Sequence, residues 1–277
     1  MKLLNGKELA DGVKEEVRAE VEKMKAEGKD VCLAVIQVGD NAASSVYVKN
    51  KEKACAYVGI ESEVYKMSES TSEDELIRFI DILNKDNAVH GILVQLPLPD
   101  HINEYTIIQS ISPEKDVDSF HEINMGKLLI GEDTFVPCTA KGIIELLKAN
   151  DISIEGRNCV VVGRSNIVGK PTAMELLRNN GTVTICHSKT RDLKQICRSA
   201  DILVCAIGKP KFFNKDYISP GTVVIDVGIH RQEDGTLCGD VDFEDVKNIV
   251  SAITPVPKGV GPMTVAMLMK NCVRAAK

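Results

Sequence analysis

The stretch Asn158-Cys159-Val160-Val161-Val162-Gly163-Arg164-Ser165-Asn166-Ile167-Val168-Gly169-Lys170-Pro171 decides the fold. A short β-branched run reads as a buried strand, a glycine-bearing turn follows, and Pro171 opens a helical pattern reaching Asn180. Such a turn offers unpaired backbone N–H groups across Gly163–Gly169 and the positive end of a helix dipole, both suited to a pyrophosphate. The spacing departs from G-x-G-x-x-G, because Ser165 replaces the second glycine and the next glycine is Gly169. On this feature alone an ordinary strand-to-helix turn is the rival reading.

The next apolar run, Thr182–Cys186, narrows the choice. An NAD site places an acid about 20 residues beyond the first glycine, at a strand end, to hold the ribose 2′-hydroxyl. Here the run ends in His187-Ser188-Lys189-Thr190-Arg191, without an acid. Hydroxyls with Arg164 suit a 2′-phosphate, so NADP is preferred over NAD. Arg164 and Ser188 are the expected contacts; Lys189 and Arg191 read as a solvated face.

Further apolar runs at Val31–Val38, Val89–Leu96, Ile202–Gly208, Thr222–Gly228 and Ile249–Thr254 read as strands, with a weaker one at Glu61–Lys66. Continuous β-branched runs mean burial on both faces, as in parallel sheets covered by helices. Helical patterns at Gly6–Gly28, Ser44–Val58, Ser72–Lys85, Thr139–Ala149, Arg191–Arg198 and Met263–Ala276 alternate with them. Gly28 suits a helix C-cap, and Ser72 with Glu75 forms a capping box. Strand–helix alternation makes this an α/β protein. Ser112–Cys138 lacks regular periodicity and contains the boundary between an N-terminal α/β domain, residues 1–138 with 264–277, and a Rossmann-like doubly wound domain, residues 139–263. The last helix is expected to return to the first domain.

The chain has 277 residues and a formal net charge of -6, which argues against nucleic acid and anionic membranes as partners. No apolar stretch reaches the about 18 residues needed to span a bilayer, and the opening MKLLNGKELADG lacks a secretory h-region. The nine cysteines contain no C-x-x-C pair and read as buried free thiols of a cytoplasmic protein.

In open parallel sheets, ligands lie beyond the carboxyl ends of the strands. Gln95 ends the run Gly91-Ile92-Leu93-Val94-Gln95, just before Leu96-Pro97-Leu98-Pro99. On the helix Ser44–Val58, Tyr47 and Lys51 share a face, a ring for stacking beside an amine. Composition does not separate Lys51 from Lys49 or Lys53. Asp116 and Asp118 form a D-x-D that reads as loop capping, with no metal site, since no other ligand cluster accompanies it.

Taken together, the motifs closely resemble the bifunctional methylenetetrahydrofolate dehydrogenase/methenyltetrahydrofolate cyclohydrolase family. The matching stretches are Tyr47-Val48-Lys49-Asn50-Lys51, Val94-Gln95-Leu96-Pro97-Leu98-Pro99, Pro113-Glu114-Lys115-Asp116-Val117-Asp118, Gly163-Arg164-Ser165 with Ile167-Val168-Gly169, Cys186-His187-Ser188-Lys189-Thr190, and Pro255-Val256-Pro257 with Gly259-Val260-Gly261-Pro262-Met263-Thr264. They run in family order along essentially the whole chain. The resemblance implies a catalytic folate domain and an NADP domain with a cleft between them, and a homodimer built through the cofactor domains. It also implies oxidation of 5,10-methylenetetrahydrofolate with NADP+, then hydrolysis of the methenyl product to 10-formyltetrahydrofolate. By position it assigns Lys51 as the catalytic lysine, Gln95 as its tuning partner and Asp118 as the acid holding the pterin. Tyr47 stacks on the folate, and Val48, Leu96, Pro97, Gly261 and Pro262 complete the substrate set. Gly163, Arg164, Ser165, Val168, Ser188 and Ile229 form the cofactor set. Lys51 is expected to act as a neutral amine, through desolvation and the cationic substrate.

Three positions depart from the family pattern: Lys258 and Ser119 stand where glycine is usual, and Ala140 where proline is usual. The rivals to the bifunctional reading are a monofunctional dehydrogenase, whose cyclohydrolase step is weak because of Lys258 and Ser119, and a non-catalytic dinucleotide sensor.

Overall fold

The computed structural model describes residues 1–277, apart from the side chains of Ala42 and Ala43. In chain order the elements are β1 Lys2–Leu3, α1 Gly6–Ala26, β2 Cys32–Val38, α2 Ala42–Val58, β3 Glu61–Met67, α3 Glu73–Lys85, β4 Gly91–Val94, α4 Glu104–Ser110, α5 Glu122–Ile130 and α6 Cys138–Ala149. There follow β5 Asn158–Val162, α7 Gly169–Arg178, β6 Thr182–Cys186, α8 Leu193–Arg198, β7 Ile202–Cys205, β8 Val223–Asp226, β9 His230–Arg231, β10 Leu237–Cys238, α9 Phe243–Val246, β11 Ala252–Ile253 and α10 Val260–Ala275. Two units emerge: residues 11–138 with 265–277, and residues 1–10 with 139–264.

The first unit has a three-stranded parallel sheet ordered β3-β2-β4. Every residue of β2 and β4 is buried, which is why both read as unbroken apolar runs. One face packs against α3 and α4 through Leu76, Ile80, Leu83 and Ile107. The capping box of α3 forms as the sequence predicts: Glu75 N–H donates to Ser72 Oγ while the Glu75 carboxylate accepts from Ser72 N–H. The end of α10 belongs to this unit, where Asn271 Nδ2 donates to the carbonyls of Val117 and Val136. The interval 112–138 is less irregular than its sequence suggests. It contains α5, capped by His121 and ended by Gly131 in the left-handed region. With only nine residues, that helix shows too few turns for a clear period.

The second unit has a six-stranded parallel sheet ordered β1-β11-β8-β7-β5-β6. The chain passes from β5 to β6 on one side and then to β7 on the other, so the strand order reverses at β5. That is the topological switch point, where the loops after β5 and β7 border a crevice. The expectation that residues 1–138 group together differs at the start of the chain. Lys2 and Leu3 pair with Ala252 and Ile253 and extend this sheet at its edge. A two-residue strand carries too little pattern to be read from sequence. At the other edge, β6 is exposed at Thr182, Thr184 and Ile185, so it is not buried on both faces as its composition implies.

The two departures at glycine positions share one cause. Ser119 has φ 63° and Lys258 has φ 84°, in the left-handed region where a Cβ is unfavourable. Ser119 is compensated, since its hydroxyl is buried and donates to Phe135 O at 2.7 Å. The Lys258 side chain is exposed, and only its carbonyl is engaged, by Lys7 N–H at 3.0 Å. Lys258→Gly is therefore expected to stabilise the protein by about 0.5–1 kcal/mol, the left-handed cost less the added chain entropy of glycine. Ser119→Gly, which loses a buried hydrogen bond, is expected to give no gain. Urea denaturation of both variants checks this, and a lowered midpoint for Lys258→Gly contradicts it.

Candidate active site

In the first unit, α2 starts at Asn41, whose side chain accepts from Ser44 N–H, and ends at Gly59 with φ 85°. Ser44, Tyr47, Val48 and Lys51 fall on one face of it. Val48 packs into the core and Ser44, about one turn earlier, is also buried, whereas the Tyr47 ring is 40% exposed. Partial burial pushes the Tyr47 phenol up from its ordinary value. Lys51 Nζ is half-buried and donates to Gln95 Oε1 at 3.0 Å, while Lys49 and Lys53 are exposed. That contact separates the three lysines that sequence alone leaves equivalent.

Gln95 lies one residue beyond β4. Its N–H donates to Ile36 O, and its Nε2 donates to Leu96 O at 2.7 Å. With the amide nitrogen committed there, Oε1 must face Lys51. Leu96 is partly buried and Pro97 exposed next to it.

Asp118 follows a loop that Asp116 organises. The buried Asp116 carboxylate accepts from His121 N–H at 2.8 Å and Asn124 Nδ2 at 3.0 Å, and Thr134 Oγ1 donates to Asn124 Oδ1. Loop capping, the expectation for the D-x-D, thus describes Asp116. Asp118 differs: burial pushes its carboxyl above the usual range, opposed by the charge of Lys51 and a hydrogen bond with Cys138. Lys51, Gln95 and Asp118 therefore share one polar locality.

Sequence reasoning missed three residues of this unit. Cys138 was grouped with core thiols, yet it bonds Asp118 and its Sγ donates to Val117 O at 3.5 Å. Asn271 is a polar residue in the apolar run Ala266-Met267-Leu268-Met269-Lys270-Asn271-Cys272-Val273, which is the signal that could have found it. Ser44 carries a buried hydroxyl without a hydrogen-bond partner among the described residues. Gly261 and Pro262 lie in the first turn of α10, within the second unit.

In the second unit the loop after β5 requires its glycines. A Cβ on Gly163, which has φ 134°, would lie 2.2 Å from Ala206 O, and one on Gly169 would lie 2.3 Å from Gly163 O. Ser165 Oγ accepts from the N–H groups of Val168 and Gly169 at 3.2 Å each. The expectation of a full row of free N–H groups across Gly163–Gly169 is corrected to this extent. The serine at the second glycine position caps the helix start itself, leaving its hydroxyl proton to donate outward. Arg164 is exposed and forms no ion pair among the described residues. Beyond β6, Thr190 Oγ1 accepts from His187 N–H and His187 Nδ1 accepts from Lys189 N–H, a tight turn that leaves the exposed Ser188 hydroxyl free. The first acid along the chain is Asp192, at the N-cap of α8. A bare-backbone loop, an unpaired guanidinium and a free hydroxyl without a carboxylate fit a dinucleotide carrying a 2′-phosphate. Ile229, 48% exposed, follows β8 at the same carboxyl edge of the sheet. No cluster of three or more potential metal ligands occurs among the described residues.

Comparison with known proteins gives a consistent picture. Residues 4–118 match the tetrahydrofolate dehydrogenase/cyclohydrolase catalytic domain, and residues 137–277 match the NAD(P)-binding domain of the same family. A protein of Agathobacter rectalis named Bifunctional protein FolD is 57% identical over 275 residues, 99% of each chain. The crystal structure of the bifunctional methylenetetrahydrofolate dehydrogenase/cyclohydrolase from Campylobacter jejuni is 50% identical with a TM-score of 0.98, covering 100% of this chain and 98% of that one. The Trypanosoma brucei enzyme, solved with NADP cofactor and inhibitor, is 36% identical with a TM-score of 0.94, covering 99% of this chain and 96% of that one.

The close approach at Gly163 gives a sharp prediction. Gly163→Ala places a methyl group against Ala206 O on an unsuitable backbone, so the loop must shift. Isothermal titration is expected to show dinucleotide affinity reduced at least about tenfold. Unchanged affinity contradicts this account of the loop.

Proposed function

The chain belongs to the tetrahydrofolate dehydrogenase/cyclohydrolase family, and on that premise we propose that it is bifunctional, oxidising 5,10-methylenetetrahydrofolate with NADP+ and hydrolysing the methenyl product to 10-formyltetrahydrofolate. The observation that carries this reading is the Lys51–Gln95 hydrogen bond of 3.0 Å, in one locality with the Asp118 carboxyl. A dehydrogenase alone has no need of it, because hydride loss from the methylene bridge is assisted by the substrate's own nitrogens and involves no proton transfer.

NADP+ supplies the hydride acceptor. Arg164, Ser165 and Ser188 would hold its phosphates over the bare backbone of Gly163, and Val168 and Ile229 would complete the contact. The lack of an acid after β6 favours NADP over NAD.

Folate binding falls to Tyr47, by stacking, and to Asp118, by hydrogen bonds to the pterin. The two carboxyl oxygens of Asp118 suit that task, since each can accept from a pterin N–H. In the hydrolytic step, water adds to the electron-poor methenyl carbon and loses a proton; the C–N5 bond then breaks as N5 gains one, while the remaining hydroxyl proton leaves to solvent as the formyl C=O forms, so one proton is released overall. Lys51 is the group that takes and returns that proton, as an amine oriented by Gln95 Oε1.

The edge of the second sheet supports a homodimer. Among the described residues β6 pairs only with β5, and it exposes Thr182, Thr184 and Ile185 while α7 exposes Leu177. An unpaired edge with apolar side chains is what a second copy of the chain would cover, giving a homodimer through the cofactor units. Nine free, buried thiols accord with the reducing cytoplasm, and no described helix is long and apolar enough to cross a membrane.

Lys51→Met tests the division of labour. It is expected to lower methenyltetrahydrofolate hydrolysis by about 10²-fold or more, and to affect NADP+ reduction less. Two separate absorbance assays measure the rates, and hydrolysis at the wild-type rate in Lys51→Met rules out this role.

A further inference from the structure

Beyond the phosphate loop, the second unit contains a buried pair of acids, Asp226 and Asp240, 4% and 0% exposed. The Asp240 carboxylate gathers four donors: Ile207 N–H at 2.7 Å and Gly208 N–H at 3.0 Å on Oδ2, and Lys209 N–H at 2.9 Å and His230 Nε2 at 2.8 Å on Oδ1. Asp226 in turn accepts from the N–H groups of Gly228, Asp240 and Val241. The surrounding backbone is shaped around these carboxylates. A Cβ on Gly239 would lie 1.8 Å from Asp226 Oδ2, and one on Gly228 would lie 2.4 Å from Asp240 Oδ1.

Three successive N–H groups pointing at one carboxylate fix the opposite side of the same loop. In a trans peptide the C=O points away from the N–H. The carbonyls of Ala206, Ile207 and Gly208 therefore face away from Asp240. Ala206 O lies against Gly163, on the side where the loops after β5 and β7 meet at the switch point. None of the three carbonyl oxygens accepts a hydrogen bond from a described residue. Ala206 O is thus open beside the phosphate loop, and the two carbonyls that follow it are left free to accept from a ligand.

We propose that Asp240 is a positioning residue for the dinucleotide. It turns the carbonyls of Ala206, Ile207 and Gly208 toward the switch-point crevice, where they form an acceptor row for the carboxamide N–H2 of the nicotinamide. His230 braces the carboxylate from the segment next to Ile229. The inference rests on the cofactor reading given above and deepens it, by naming what selects the nicotinamide end of the ligand. A carboxamide brings two donors to the row, whereas a carboxylate in its place brings none and is repelled.

The test compares binding of NADP+ and of its nicotinic acid analogue, in which only the carboxamide is changed, by isothermal titration of the full chain. The wild type is expected to prefer NADP+ by at least about tenfold. Asp240→Asn sets an amide N–H2 against the loop's own donors and is expected to remove most of that preference. Because Asp240 is fully buried and its substitution endangers folding, His230→Ala and His230→Gln give a second arm. His230→Ala is expected to lower the preference about three- to tenfold, and His230→Gln, which keeps a donor, to restore much of it. Melting temperatures of the two His230 variants show that both are folded. Equal binding of the two dinucleotides by the wild type overturns the proposal, as does full preference in His230→Ala. If the wild type binds neither, the cofactor reading itself fails and this inference fails with it.

Discussion

The loops after β5 and β7 can meet only because residue 163 has no side chain. Gly163 holds φ 134°, and a single added carbon would lie 2.2 Å from Ala206 O. That contact brings the loops after β5 and β7 together at the sheet's switch point. Gly169 then folds back on Gly163 O, Ser165 caps the helix, and Arg164 is left outward and unpaired. Much of the nucleotide chemistry of the second unit thus depends on one steric constraint, with a buried carboxylate fixing the opposite wall.

The first unit follows a different logic. Its chemistry depends on committed hydrogen bonds: the Gln95 amide nitrogen is occupied by Leu96 O, so its oxygen must meet Lys51. Asp116, fully engaged with His121 and Asn124, holds the loop that presents Asp118. The net charge of -6 plays no part in attracting ligands that are themselves anions. Attraction has to be local, which is why an unpaired Arg164 and a half-buried Lys51 matter more than the total.

Much of this was legible in the sequence because burial on both faces leaves a strong signature. The runs that became β2, β4, β5, β7 and β8 are continuous and apolar, and the α3 capping box formed as read. Short elements were not legible. β1 has two residues and takes its place through pairing with β11, a contact about 250 positions away along the chain that no local pattern encodes. α5 was hidden by its length, and the exposure of β6 depends on its position in the sheet order, not on its composition. Among site residues, Lys51 could be separated from Lys49 and Lys53 only by resemblance or by geometry. The Asp240 network escaped notice because its partners are backbone N–H groups, which leave no trace in side-chain motifs.

The central claim is that one chain performs two successive reactions on the same one-carbon unit. Mixing the purified protein with 5,10-methylenetetrahydrofolate and NADP+, and following methenyl absorbance, tests it most directly. The account predicts a rise followed by a decay faster than the uncatalysed hydrolysis. A rise without enzyme-accelerated decay would leave a dehydrogenase alone, and no rise at all would contradict the account.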